Sequence, residues 1–402
     1  MPAFADAPTA DAVLANYADI AEAGYTDALT GARALDKAID ALIADPSPET
    51  LMVARDVWGA VRPAYQETEA YRFGNPIVDD WEPKVNAWPL DEGFIDYVDP
   101  GYYGTESDDN PLYTANVIAN KTITVADKTV DASTITPALL ASLAEAGGSE
   151  ANVTTGYHAI EFLLWGEDTN RTGPGAGNRP ATDYSLTACT HGNCDRRAQY
   201  LKSASTLLIS DLTEMVGNWA ADGKARAALK GEGIGAILTG MGSLSYGELA
   251  GQRMKLGLLL HDPEEEHDCF SDLTYNDLRA DAIGIRNVYV GSYLRPDGTV
   301  VSGPSVSDLV AASDPALDKE IRGLLDTTLD RFGDLKTRGD TIEKYDQMIG
   351  ENNPDGNAVV QAVIDALVNQ THGIERAVAA LKLDGVTIGG DDSLDNPNTV
   401  FK

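Results

Sequence analysis

Basic residues are scarce in this sequence. Its 402 residues carry 30 Lys plus Arg against 63 Asp plus Glu, a formal net charge of −33. A surface that negative repels phosphate backbones and anionic lipid heads, which disfavours nucleic-acid and membrane-surface binding. It suits cationic ligands, or simply solubility in salty surroundings. Long apolar runs are missing too: none approaches 18 residues, so no segment reads as a transmembrane span. Cysteine falls to three residues and histidine to five, so each is worth placing individually. Hydrophobic residues still make up 43%, enough for sizeable cores, and the length favours two domains.

The stretch Met1-Pro2-Ala3-Phe4-Ala5-Asp6-Ala7 has the small-residue spacing of a signal-peptidase cut, with no apolar stretch before it. It reads as an exported protein whose signal peptide is not in this sequence; an ordinary Ala-rich start is the alternative. Cysteine spacing agrees with export. Cys189-Thr190-His191-Gly192-Asn193-Cys194 closes a short loop suited to a disulfide, and disulfides persist in oxidising compartments. A metal site from the two cysteines and His191 lacks a fourth ligand nearby. Cys269 is then the free thiol.

Periodicity predicts an all-α chain. Leu14, Tyr17, Ala21, Ala28, Leu35, Ile39 and Leu42 keep the spacing of one helix face. Ser47 and Pro48 restart a helix as N-cap and first residue, and Val53, Val57, Val61 and Tyr65 carry it towards Phe73 and Gly74. Residues 74–113 form an irregular excursion. Helical patterns return at 114–126, 136–146 and from Thr154 through Trp165. Beyond the break at Gly166 to Asn193 they continue at 194–220, 232–260, 273–289, 305–335 and 357–382. Strand-like alternation is limited to Lys121 to Val125 and Val386 to Ile388. The expected architecture is two helical bundles in series, 8–180 and 195–390. His158-Ala159-Ile160-Glu161 and His372-Gly373-Ile374-Glu375, late in each half, point to an internal duplication.

The sharpest motif runs from Thr155-Gly156-Tyr157-His158 to Glu161. Three residues apart on a helix, His158 and Glu161 share a face. They make half of a metal site, or a His–Glu pair satisfied inside a helix interface. A zinc peptidase needs more: Phe162 stands where the inverted zincin motif has its second histidine. Glu69 and Arg72 form a second pair at three-residue spacing, either a helix-end ion pair or partners of His158 across an interface. The third candidate is Ser245 to Met254 with the acidic run Asp262 to Asp272. Gly247 and Gly251 there allow close helix packing. The acids around His267 suit a hard cation such as calcium, or a solvated helix start.

Together these segments resemble the imelysin-like family, which takes its name from an insulin-cleaving outer-membrane peptidase and includes iron-regulated proteins of the A type. The residues that carry the resemblance are Gly156, His158 and Glu161 of the Gly-x-His-x-x-Glu motif, Glu69 to Gly74, Gly247 to Met254, Asp262 to Asp272, and Gly284 to Gly291. The resemblance implies two duplicated bundles with the His158 motif in a cleft between them. It also implies an exported protein of iron or haem acquisition, periplasmic or outer-membrane associated. Gln66 and Asn86 depart from it, falling where related iron-uptake lipoproteins place acids.

The leading functional expectation is a non-catalytic protein binding iron, another divalent metal, haem, or an outer-membrane uptake component. A metallopeptidase using His158 and Glu161 is the first alternative. A ferritin-like carboxylate oxidase, in which both HxxE pairs meet, is the second. The expected pocket gathers Glu69, Arg72, Gly156, His158 and Glu161, with His158, Glu161 and Glu69 as metal ligands.

Overall fold

The computed structural model describes residues 7–401. The Met1-to-Ala7 export signature therefore lies almost wholly outside the described residues. The chain is all-α, with two short antiparallel hairpins and no larger sheet among the described residues. Every apolar residue assigned to the first helix face is buried in the 35-residue helix Ala10–Ala44. That helix packs on Pro48–Gln66 and on Cys194–Trp219. In the second half, Pro315–Thr341 packs on Pro354–Ala380. The helix Thr274–Val290 touches both groups, and one continuous apolar core runs through them.

Local chemistry sets the element ends. The Ser47 hydroxyl accepts the Thr50 N–H while the Thr50 side chain accepts from the Ser47 N–H, and Pro48 fills the first helical position. This helix stops at Gln66 rather than running to Phe73. Thr68 Oγ1 donates to the Tyr65 carbonyl at 2.6 Å, and a 3₁₀ turn, Glu69–Tyr71, follows. Its buried face also differs from the valine stripe. Leu51, Ala54, Trp58, Arg62, Tyr65 and Gln66 face inward, while Val53 is 47% exposed.

Three further expectations are corrected. Residues 114–121 form turns, not a helix. Asn116 takes a left-handed conformation, and Val117 and Ile118 donate to the distant Phe94 and Ile95 carbonyls instead of to carbonyls one helical turn back. Thr122–Val125 then pairs with Lys128–Asp131 as a hairpin. Val386 to Ile388 forms no strand, because it lies over glycines instead of beside a partner strand. Val386 sits against Gly235 and Ile388 against Gly242, and Gly389 abuts Gly247. The close approach at Gly247 and Gly251 thus receives this extended tail rather than another helix. Finally, Asp314 caps a new helix at Pro315 and splits the expected 305–335 helix.

Cys189 and Cys194 are disulfide-bonded and Cys269 is free. His191 gives its ring to Asp183 at 2.7 Å rather than to a metal with the cysteines. Among the described residues no helix is long and apolar enough to cross a membrane.

Candidate functional site

Gly156 opens the helix Gly156–Trp165 in a conformation open to few other residues, with φ at +83°. A Cβ there would lie 2.4 Å from the Val85 carbonyl oxygen. Glycine therefore lets the helix start press against the Pro83–Asn86 turn, which fixes where the following turn projects.

That turn places His158 and Glu161 on one face, both at most 1% exposed. The Arg62 guanidinium reaches them from Pro48–Gln66. Its Nη2 lies 3.3 Å from His158 Nε2 and donates to Asp268 Oδ1 at 3.2 Å, and its Nη1 donates to Asn86 Oδ1 at 2.7 Å. Its Nε stands 2.7 Å from Asp277 Oδ2 as a charge contact. A guanidinium only donates, so His158 Nε2 must accept. Burial, and the positive neighbours His267, Arg62 and Arg253, hold the His158 pKa well below the usual histidine range, so the ring is neutral. Its one proton sits on Nδ1, facing Glu161 Oε2 at 3.2 Å.

Glu161 is committed on both sides, because its Oε1 accepts the Ser271 backbone N–H at 3.0 Å. Burial and the nearby Asp268 push its carboxyl well above the usual range. His267 packs edge-on against His158 with centroids 4.6 Å apart, and on Trp88 at 5.6 Å.

Glu69 and Arg72 belong to an adjoining buried network built on Arg253. Glu69 accepts from Tyr65 Oη at 2.7 Å and from Arg253 Nη2 at 2.9 Å. Arg253 also donates to Asp281 at 3.0 Å and to Glu248, five residues earlier in the π-helical stretch Leu244–Leu256. Winding with i→i+5 hydrogen bonds is what brings residues five apart together. Arg72 stands between Glu69, Glu82 and Glu248 at 3.5–3.9 Å. Burial, followed by repulsion from Glu69 and Glu248 against the pull of Arg72, pushes the Glu82 carboxyl up to about 7.

The two networks are continuous. The Arg62 guanidinium lies over the Tyr65 and Tyr157 rings, and Tyr65 bonds Glu69. No hydrogen bond or ion pair among the described residues joins Glu69 or Arg72 directly to His158 or Glu161. The donor atoms that gather around His158 come instead from His267 and Asp268, all within 4.8 Å of one another. His158, Glu161 and Glu69 do not fit a metal as one ligand set: Glu69 stands apart, and the lone pair of His158 is directed at Arg62. His372 and Glu375 are exposed on Pro354–Ala380, so the two HxxE pairs do not meet.

Sequence reasoning missed Arg62, Asp268, Asp277, Arg253 and Asp281 as members of this site. Gln66 and Asn86, noted there as departures, sit inside it: Gln66 donates to Asp277 at 3.2 Å and Asn86 accepts from Arg62.

Beside this largely buried network opens a cleft of about 1210 Å³, whose walls include Trp88, Glu92, Tyr102, Tyr103, Glu264 and Phe270. Seven acidic residues line it against a single arginine, Arg171. Burial, and then repulsion among neighbouring acids, raises the pKa of Glu92 and Glu265, so the crowded acids are relieved by taking up a cation or protons. The segment 267–271 joins the two features. Its His267 contacts Trp88, its Cys269 and Phe270 form cleft wall, and its Ser271 is tied to Glu161.

Comparison with known proteins places these residues in a family context. The family model described as Imelysin matches residues 21–374. A search of curated proteins finds no match. A crystal structure described as an iron-regulated protein A precursor from Parabacteroides distasonis is similar, with TM-score 0.63 and 19% identity over 93% of this chain and 96% of that one. An imelysin-like protein from Psychrobacter arcticum is similar with TM-score 0.54 and 16% identity, over 96% of this chain and 100% of that one.

Proposed function

The chain belongs to the imelysin family, and from that premise we propose that it is an exported, non-catalytic binding protein serving iron acquisition. In this reading the acidic cleft takes the iron, and the Gly156–His158–Glu161 motif braces the cleft wall from behind. The observation that carries it is the position of Arg62. A permanent cation fills the space between His158 and Asp268, and both ring nitrogens of His158 face partners. A peptide bond would also have to reach a His158–Glu161 pair that is at most 1% exposed. Both points favour a positioning role over metallopeptidase chemistry.

Charge selects the ligand. Seven acidic residues around one arginine attract a metal cation and repel the propionates of haem. The iron link itself comes from the description of the Parabacteroides protein, whose fold this chain shares. The disulfide supports an oxidising, extracytoplasmic location such as the periplasm or the outer-membrane surface. An uptake component of the outer membrane would then collect the cargo.

Titration settles between the ligands. Anaerobic ferrous iron and ferric citrate are followed by calorimetry, and haem by absorbance. We expect iron to bind and the double substitution Glu92→Gln with Glu264→Gln to weaken it at least tenfold. A haem Soret shift that disappears in His158→Ala would overturn the reading. So would metal-dependent cleavage of a polypeptide that is lost in the same variant.

A further inference from the structure

The acidic run Asp262 to Asp272 divides between two places. His267 and Asp268 turn to the Arg62 network, whereas Glu266 and Asp272 turn to Asp346 at the start of the short helix Tyr345–Ile349. The three carboxylates offer oxygens within 4.8 Å of one another, and all three residues are 1–2% exposed. We propose that Glu266, Asp272 and Asp346 form a calcium site.

The contrast with neighbouring acids is the first support. Asp268 and Asp277 face Arg62, and Asp281 faces Arg253. None of the ion pairs among the described residues reaches Glu266, Asp272 or Asp346. Lys344, whose charge acts on Asp272, gives its ammonium to the Tyr275 hydroxyl at 2.9 Å. Asp168 adds further negative charge beside Asp272 and Asp346.

The second support is independent of the clustering. One oxygen of Glu266 and one of Asp272 are buried and accept no hydrogen bond. Both oxygens of Asp346 are buried with no donor in hydrogen-bond geometry, the nearby backbone N–H groups of Asp346 and Gln347 acting on them only weakly. Buried carboxylate oxygens are ordinarily satisfied by donors, and leaving several unpaired side by side is costly. A cation repairs all of them at once.

The donor set selects the ion. Three carboxylates without imidazole or thiolate form a hard oxygen site. Calcium takes six to eight oxygens in flexible geometry, whereas magnesium demands a near-ideal octahedron and keeps several waters. A site only 1–2% exposed favours the ion that sheds water more readily. None of the three carboxylates lines the cleft, although their neighbours Glu265 and Gln347 do. Calcium binding that survives Glu92→Gln with Glu264→Gln but is lost in Asp346→Asn therefore distinguishes this site from the cleft.

The test uses the whole chain after chelator treatment. Calorimetry with calcium chloride is expected to show one saturable ion per chain and a raised unfolding temperature. Asp346→Asn and Asp272→Asn should each weaken binding at least tenfold, whereas the surface substitution Glu214→Gln leaves it within twofold. If either variant fails to fold, terbium is read on the unmodified protein, where the buried Tyr345 near Glu266 sensitises its luminescence and calcium displaces it. Absence of saturable binding, or binding equally tight in a folded Asp346→Asn, would overturn the proposal. So would a higher unfolding temperature for Asp346→Asn with no response to calcium, the behaviour of carboxyls that simply retain protons.

Discussion

The Glu161 carboxylate accepts the backbone N–H of Ser271, a residue 110 positions further along the chain, at 3.0 Å. Its other oxygen faces His158. One side chain of the Gly-x-His-x-x-Glu motif therefore holds the segment that forms one cleft wall. This tether, rather than an open coordination sphere, is the basis of the positioning role assigned to the motif.

Arg62 should be the most sensitive charged residue of the network. Removing it leaves Asp268 and Asp277 buried without their counter-charge, a loss of about 3–5 kcal/mol for a broken buried pair. Arg62→Met should lower stability by that amount in urea unfolding. Arg62→Lys should recover only part of it, since an ammonium cannot reproduce the fork that holds Asn86, His158 and Asp268 together. Full recovery by lysine would show that charge alone matters there.

Two glycines give opposite outcomes with the same substitution. Gly156→Ala meets both a left-handed backbone and the Val85 carbonyl, and should cost more than about 2 kcal/mol. Gly323→Ala lies inside the helix Pro315–Thr341 with nothing near its Cβ, and should stabilise by roughly 0.5–1 kcal/mol. Thermal unfolding of the two variants is the check.

Acid should weaken the protein partly through His158. Its folded pKa lies well below its ordinary value of 6.5. Below pH 6.5 the unfolded chain takes up a proton that the folded chain refuses, so stability is fully present above that pH and falls as pH decreases. One such group contributes a slope of about 1.4 kcal/mol per pH unit. The stability difference between the unmodified protein and His158→Gln should shrink by about that slope between pH 6 and 5. A constant difference would mean that His158 ionises in place.

Much of the fold was legible because helix faces and caps are local. The Ala10–Ala44 stripe, the Ser47–Pro48 start and the disulfide loop each follow from a few adjacent residues. The site was legible only in its motif. His158 and Glu161 pair within one turn, but their partners arrive from Arg62, Asp268 and Ser271, which no spacing connects. One signal was available: Trp58, Arg62, Tyr65 and Glu69 keep the spacing of a helix face, putting an arginine in an aromatic stripe. The valines at 53, 57 and 61 mark only the flank of that face: Val57 and Val61 are half-buried against the core, Val53 is exposed, and the centre of the face is taken by Trp58 and Arg62.

X-ray absorption spectroscopy of the iron-loaded protein tests the central claim most directly. With iron in the acidic cleft and His158 acting only as a brace, the first shell should be dominated by carboxylate oxygen. The spectrum should also be unchanged in His158→Gln. Outer-shell imidazole scattering that disappears in His158→Gln would make His158 a ligand and contradict the account.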